Sequence, residues 1–172
     1  MLTAAARTAA HAGVAPDDYR SLFRSHPAGV TVICADAGHG PAGFTATSLA
    51  SVSLAPPLVS FAVATVSSVW ATLAAAESFT ANFLAAGQHD LAARFAARGA
   101  DRFASPTAWS RLDTGEPVLH GAPARLRAVI QDRFEVGDHH LVVGLVTAIE
   151  SDEDRDPLVY HAGGYCAAAP IL

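Results

Sequence analysis

The segment GFTATSLASVS occupies residues 43–53 and is followed by a break at Pro56-Pro57 and by the apolar run LVSFAV at residues 58–63. Small hydroxyl side chains are unusually dense in this segment, and its pattern is typical of a strand. Hydroxyl groups and exposed backbone on a strand can hold a planar, anionic ligand without a metal ion. A purely structural interpretation is also open, because threonine is common in strands, where alternate side chains face solvent.

The composition indicates one domain with a sizeable core. The chain has 172 residues, of which 51% are hydrophobic, and its net charge is −5. This charge argues against binding dominated by nucleic-acid phosphates or by an anionic membrane, since both require a cationic face. No window approaches the roughly 20 consecutive apolar residues of a membrane span. We therefore expect a soluble, cytoplasmic protein with a flexible tail over residues 1–16 and one domain over residues 17–172.

All eleven basic residues are arginine. The absence of lysine excludes enzymes that depend on a Schiff-base lysine, a pyridoxal-phosphate lysine or a P-loop lysine. Cys34 and Cys166 are far apart and form no CxxC pattern, so neither a disulfide framework nor a thiolate metal site is predicted. The eight histidines lack HExxH or paired spacing, and no metal site is expected.

Apolar periodicity predicts a mainly β chain with a few helices. A first helix, capped by Asp17 or Asp18, would turn Tyr19, Leu22 and Phe23 toward the core. The segment 101–115 is expected to be irregular, and the chain after a Gly-Gly turn to be an alanine-rich tail. Strands are predicted at residues 29–35, beyond a turn at 37–41, and at 58–64, 79–84, 117–119, 124–134, 139–149 and 157–160, and helices at 69–76 and 88–98. Strands joined mostly by hairpins indicate an antiparallel barrel with helical insertions.

Several short motifs have competing interpretations. The GHGPAG of residues 38–43 matches the dinucleotide fingerprint, but Pro41 removes a donor and a strand pattern follows, so the match is interpreted as accidental. No serine lies in a GxSxG elbow. Arg94, Arg98 and Arg102 recur at intervals of four; Arg98 and Arg102 are interpreted as a solvated helix face and Arg94 as the phosphate candidate. Ser67-Ser68 would cap the next helix and could also meet an anion.

Taken together, the motifs resemble those of the short-chain flavin reductase family, the reductase components of two-component flavin monooxygenases. The likeness runs from about Tyr19 to Tyr165, with the motifs in the family's order. These motifs are Phe23 to Ile33, Gly43 to Ser53, Pro56 to Phe61, Ser67 to Trp70, Asn82 to Leu84, Ala93 to Phe95, Asp101 to Phe103 and Gly137 to His139.

This resemblance implies a split β-barrel that binds FMN or FAD and forms a homodimer. It also implies a ring wall at residues 62–64 and a nicotinamide-nucleotide motif at residues 137–139. The residues that it implies for the isoalloxazine and ribityl chain are Gly43, Phe44, Thr45, Thr47 and Ser48, and those for the phosphate end are Ser67, Ser68, Arg94 and Phe95. His139 would hydrogen-bond NADH or NADPH, and is the one residue expected to act at the reacting nucleotide. The implied cofactor-binding residues are Gly43, Phe44, Thr45, Thr47, Ser48, Ala62, Val63, Ala64, Ser67, Ser68, Arg94, Phe95, Gly137, Asp138, His139 and Tyr160.

The implied activity is hydride transfer from NADH or NADPH to FMN or FAD, with reduced flavin supplied by diffusion to a flavin-dependent monooxygenase. The residues leave FMN against FAD, and NADH against NADPH, open. A second interpretation is that the same barrel binds a flavin, haem or another planar cofactor without reducing it. A third is an oxidase of the pyridoxamine-phosphate type, but the turn at residues 137–139 and the absence of lysine argue against it.

Overall fold

The computed structural model describes residues 12–152 and 155–169, which form three α-helices and twelve strands. The helices are α1 (Pro16–Arg24), α2 (Trp70–Ala75) and α3 (His89–Ala96). The strands are β1 (Ala28–Gly29), β2 (Thr31–Asp36), β3 (Pro41–Ala46), β4 (Ala50–Leu54), β5 (Pro57–Ala64), β6 (Ser78–Phe83), β7 (Trp109–Arg111), β8 (Pro117–Leu119), β9 (Ala124–Val136), β10 (His139–Ser151), β11 (Leu158–His161) and β12 (Gly164–Ala167). No helix among the described residues has the length and apolar character needed to cross a membrane.

The main sheet contains seven strands in the order β3-β2-β6-β9-β10-β5-β4, and every neighbouring pair is antiparallel. Its two edge strands, β3 and β4, are consecutive in the chain and are separated only by residues 47–49. Because so short a link joins the two edges, the sheet has to curl until they meet. No backbone ladder joins β3 to β4 in the described part, so the curled sheet is split there. The predicted antiparallel split barrel is confirmed.

The barrel interior is filled by alternate residues of β5 and their neighbours. Val59, Phe61 and Val63 point inward and are buried, as the period of two along a strand requires. Phe61 meets Phe79 edge-on, with ring centroids 5.0 Å apart. A side chain at Gly144 would put its Cβ 2.6 Å from the Phe79 ring, so this close aromatic packing requires glycine on β10.

A second apolar layer lies under α3 and the three-stranded sheet β1-β11-β12. Phe95, Leu119 and Leu158 are buried there against the outer face of β2. Strand β8 has no ladder to the main sheet and is attached by two buried side chains of β6. Thr80 Oγ1 donates to Pro117 O at 2.5 Å, and Leu119 N–H donates to Asn82 Oδ1 at 3.1 Å.

A buried ion pair joins Glu116, just before β8, to Arg127 of β9. Glu116 is 3% exposed and accepts a hydrogen bond from Arg127 Nε at 2.8 Å, and a terminal nitrogen of Arg127 forms an ion pair with the same Oε1 at 2.7 Å. Ser78 and Thr114 also donate to this carboxylate. Burial alone would raise the pKa of Glu116, but hydrogen bonds from Arg127, Ser78 and Thr114 outweigh it and lower the pKa to about 2.

Several predictions about the elements are wrong. The apolar side chains of α1 face outward, with Leu22 67% exposed, because no part of the described barrel covers this helix. Helix α3 ends at Ala96 rather than at Arg98. Residues 43–53 form two strands with a connection between them, rather than one strand. Strands β7 and β12 lie in segments predicted to be irregular or a tail.

The predicted cap of α2 by Ser67 or Ser68 is also wrong. The cap residue is Val69, with no side-chain hydrogen bond, although Ser67 Oγ accepts a hydrogen bond from Val69 N–H at 3.3 Å. Most of the predicted N-terminal tail, residues 1–11, lies outside the described residues, as do residues 153–154 of the charged loop.

The free energy of unfolding is expected to fall as the pH is lowered into the acid range, and we call this part of the curve the acid limb. Replacement of Glu116 by glutamine is expected to make that fall less steep. The folded pKa of about 2 lies below the ordinary 4.5, so the stabilisation is complete above pH 4.5 and is lost as the pH falls toward 2; the shift corresponds to roughly 3 kcal/mol. Urea unfolding of both proteins from pH 7 to pH 2 measures this effect. Glu77→Gln, an exposed substitution, serves as the control, and an equally steep acid limb in Glu116→Gln would contradict the assignment.

Candidate functional site

A cleft of about 470 Å³ opens at the split in the barrel, between β3 and the end of β5. One wall is β3, the second is the connection from β5 to α2, and the third is the end of α3 with the loop that follows. The lining residues are Phe44, Thr45, Ala64, Val66, Ser67, Ser68, Phe95, Ala96, Arg98, Gly99 and Arg102. The structure therefore brings together six of the predicted cofactor residues, namely Phe44, Thr45, Ala64, Ser67, Ser68 and Phe95.

Two hydroxyl groups of the β3–β4 region, those of Thr45 and Ser48, are engaged within the protein. Thr45 Oγ1 donates to Ala92 O at 2.6 Å and ties β3 to α3. Ser48 Oγ accepts from Ala62 N–H at 3.0 Å and donates to Ala62 O at 3.2 Å. Thr47 is exposed. The hydroxyls of Thr45 and Ser48 therefore hold the elements around the cleft in place.

The end of β5 presents small side chains to the cleft. Ala62 and Ala64 share the outer face of the strand, while the side chain of Val63 is 2% exposed and belongs to the core. A contact between the Val63 side chain and a ligand, as the family resemblance implied, is therefore blocked by burial. Gly43 is also buried, and a Cβ there would lie 2.9 Å from Ile33 O and from the Phe95 ring. Its role is to let Phe95 pack closely against β3.

Two arginines supply the charge of the cleft. Arg102 is half-buried, and one terminal nitrogen donates to Ala97 O at 2.8 Å. Its Nε is buried without a hydrogen-bond partner among the described residues. Burial lowers the pKa of Arg102, yet an arginine stays protonated in proteins, so the group keeps its charge and its Nε–H stays a donor. Arg98 lies beside it and is exposed. A partly buried guanidinium with an open donor suits a phosphate group.

The structure separates Arg94, the predicted phosphate candidate, from this cleft. Arg94 lines a separate cavity of about 310 Å³ on the other side of α3, together with Gln88 and His120. It does not join Ser67 and Ser68. The helical spacing behind the prediction fails because α3 ends at Ala96, after which the chain turns Arg98 and Arg102 into the cleft.

The β9–β10 hairpin brings the motif of residues 137–139 next to the end of β5. His139 is the register partner of Ala64, and Thr65 N–H donates to Asp138 O at 3.0 Å. Gly137 adopts φ of +61° as the first residue of the two-residue turn. His139 Nδ1 lies 2.7 Å from Asp138 Oδ1, and a hydrogen bond from His139 lowers the pKa of Asp138. A carboxylate only accepts, so Nδ1 carries the proton and Nε2 is left for a ligand.

Sequence reasoning missed a stack of two rings behind the serine pair. Trp70, at the start of α2, lies parallel to His140, with centroids 3.6 Å apart and an angle of 5° between the planes. Arg133 of β9 donates to Leu73 O at 2.9 Å and to Ala76 O, which satisfies carbonyls at the end of the helix. Both contacts fix α2 and, through it, the turn that carries Ser67 and Ser68. The adjacent histidines gave a weak signal, since alternation predicts one on each face.

Tyr160 stands apart from the other predicted residues. It lies on β11 in the three-stranded sheet and meets Tyr165 edge-on, with centroids 5.4 Å apart. It is not among the described residues that line the cleft. The described residues also contain no cluster of three or more potential metal ligands.

The geometry fits a flat, anionic ligand. An apolar wall of Phe44, Phe95 and Ala64 faces one side of the cleft, while two hydroxyls and two guanidinium groups lie where a phosphate could be held. The unpaired Arg102 Nε is the observation that tests the fit, because a buried donor without a partner is costly unless a ligand satisfies it.

Comparison with known proteins identifies close relatives of the whole described region. The model of the flavin reductase like domain matches residues 23–169. An NADH:FMN oxidoreductase from Rhodococcus qingshengii is 50% identical over 163 residues, covering 92% of this chain and 85% of the relative. The reductase subunit HsaB of a flavin-dependent monooxygenase from Rhodococcus jostii is 32% identical and covers 90% of this chain and 79% of its own length.

A solved structure has the same architecture. The crystal structure of a flavin reductase domain protein from Arthrobacter sp. FB24 superposes with a TM-score of 0.85 at 34% identity, covering 90% of this chain and 96% of that protein.

Proposed function

The chain belongs to the flavin reductase like family, and from this we propose that it transfers hydride from NADH to FMN or FAD and supplies reduced flavin to a separate monooxygenase. The family resemblance predicted from the motifs is confirmed by the family match and by the 50% identical NADH:FMN oxidoreductase. The monooxygenase partner is supported by the relative that is itself a monooxygenase reductase subunit.

The observation that carries the proposal is the cleft in which apolar and cationic walls converge on the end of β5. Ser67, Ser68, Arg98 and Arg102 would hold the phosphate end of the flavin, and Phe44 and Ala64 would face its ring system. When bound, the flavin supplies a ring that accepts hydride directly, so the protein has to contribute orientation and polarity rather than an acid or a base. The aromatic and aliphatic wall excludes water from that face of the ring.

His139 is the group that would meet the nicotinamide nucleotide. Its register with Ala64 puts it on the same outer face of the sheet as the cleft wall, one strand away. The bond from Nδ1 to Asp138 orients the imidazole and leaves Nε2 as a hydrogen-bonding group. No proton transfer is asked of it, which makes His139 a binding group for the reacting nucleotide.

A homodimer is the proposed assembly. Phe134 and Val136, at the end of β9, are 49% and 56% exposed. Val136 is the register partner of His139, so this apolar edge adjoins the nucleotide motif. A second copy that covers this edge would bury apolar surface and enclose the open side of the site.

The activity is tested by a matrix of NADH and NADPH against FMN, FAD and riboflavin. Loss of NADH absorbance is expected at a rate that rises and saturates with flavin concentration. FMN is expected to saturate at a lower concentration than riboflavin, since only FMN carries the phosphate that Arg102 would bind. An absence of turnover with every pair would overturn the proposal.

His139→Ala is expected to raise the KM for NADH about three- to tenfold while leaving the affinity for FMN unchanged, since it removes one hydrogen bond to the nucleotide. Steady-state kinetics and FMN titration measure the two quantities. His39→Ala, at an exposed turn remote from the cleft, is the matched control. An unchanged KM for NADH would remove His139 from the nucleotide site.

Multi-angle light scattering is expected to give the mass of two chains, about 35 kDa, from the 17.7 kDa of one chain. Phe134→Asp is expected to shift the mass toward one chain, because a carboxylate would have to be buried at the interface. Val14→Asp, at another exposed apolar position, is the control. A single-chain mass for the unaltered protein would exclude the homodimer.

A further inference from the structure

Trp109 of β7 lies outside the cleft, yet it contacts the loop that carries Arg102. Its indole Nε1–H donates to Phe103 O at 3.0 Å, and its ring meets the Phe103 ring edge-on with centroids 5.1 Å apart. Phe103 in turn meets Phe95, a lining residue of the cleft, at 5.2 Å. Trp109 is therefore the outer end of an aromatic row that reaches the wall of the site.

The Arg102 loop has few other attachments to the barrel. It contains no helix or strand from residue 97 to residue 108. Its hydrogen bonds are mostly internal: Thr107 Oγ1 donates to Arg102 O at 2.7 Å, and Asp101 Oδ1 accepts from Ala104 N–H at 3.1 Å. The loop is thus a compact unit whose position depends on what holds Phe103.

Trp109 is itself firmly anchored. It is the register partner of buried Leu119, and the Arg111 guanidinium lies 5.6 Å from its ring centroid. Arg111 is paired with Asp36 at 2.6 Å, and Asp36 also accepts from Gly38 N–H at 2.7 Å. The ring is therefore linked through Arg111 to Asp36 at the end of β2.

We propose that Trp109 is a positioning residue that holds Arg102 in place for the flavin phosphate, and that it thereby sets the preference for phosphorylated flavins over riboflavin. This inference rests on the proposed function, in which Arg102 binds that phosphate. Trp109 acts at a distance, since neither its ring nor its Nε1 is part of the cleft lining. Its effect should appear only with ligands that carry a phosphate.

The test is a binding cycle that does not depend on turnover. Dissociation constants of FMN and riboflavin are measured by flavin fluorescence for the full chain, Trp109→Ala, Arg102→Gln and the double variant. Arg102→Gln is expected to weaken FMN about tenfold or more, as loss of a charge-assisted hydrogen bond does, and to leave riboflavin within about twofold. Trp109→Ala is expected to weaken FMN about fivefold with riboflavin likewise unchanged, and the double variant to be no weaker than Arg102→Gln.

Two outcomes would overturn the inference. One is an unchanged ratio of FMN to riboflavin affinity in a folded Trp109→Ala, and the other is full additivity in the double variant. If circular dichroism shows Trp109→Ala unfolded, Trp109→Phe decides, because it keeps a ring beside Phe103 and removes only the indole donor. An intermediate loss of FMN alone supports the inference, and an unchanged ratio overturns it.

The Arg102→Gln variant distinguishes a failure of this inference from a failure of the proposed phosphate contact. A changed ratio in Arg102→Gln with none in the Trp109 variants removes only the role of Trp109. No change in either removes the phosphate contact itself. Arg20→Gln, on exposed α1, where Arg20 pairs with Asp17, is the matched arginine control.

Discussion

The Ser48 hydroxyl links the β3–β4 connection to β5 at the split in the barrel, and the position of the site depends on that link. Three residues connect the two edge strands of the main sheet, so the sheet curls until β3 returns beside β5. Toward the end of β5, the last register pair with β4 is Ser60 with Ala50. Ala62, farther along β5, would then have no hydrogen-bonding partner on the β4 side. Ser48 Oγ fills the gap by bonding both the N–H and the C=O of Ala62. The cleft lies beyond this side-chain link, where Ala64 at the end of β5 lines it.

Much of the fold could be predicted from local pattern. The strand alternation that places Val59, Phe61 and Val63 inward is visible in the sequence, as is the Gly-Asp turn that precedes His139. Features set by distant contacts could not be predicted. Thr45 bonds to Ala92, 47 positions away, and no pattern around Thr45 indicates that its hydroxyl is already used. The hydroxyl-rich segment therefore looked like a ligand surface, whereas the hydroxyls of Thr45 and Ser48 bond to backbone groups of the barrel and of α3.

The arginines are a second case in which local sequence pattern could not predict where side chains lie. A spacing of four predicted one helical face with Arg94 as its useful member, but the helix stops at Ala96, and the following loop carries Arg98 and Arg102 into the cleft. Where a helix ends is decided by tertiary contacts as much as by propensity. The exposed apolar face of α1 has a similar origin, since periodicity predicts an apolar stripe and cannot say which surface covers it.

The split in the barrel also makes the local stability of the domain uneven. A region joined by side-chain bonds opens locally at less free energy than one held by a continuous ladder. The two bonds from Ser48 to Ala62 therefore cost less to break than the ladders of the main sheet, which hold the fold.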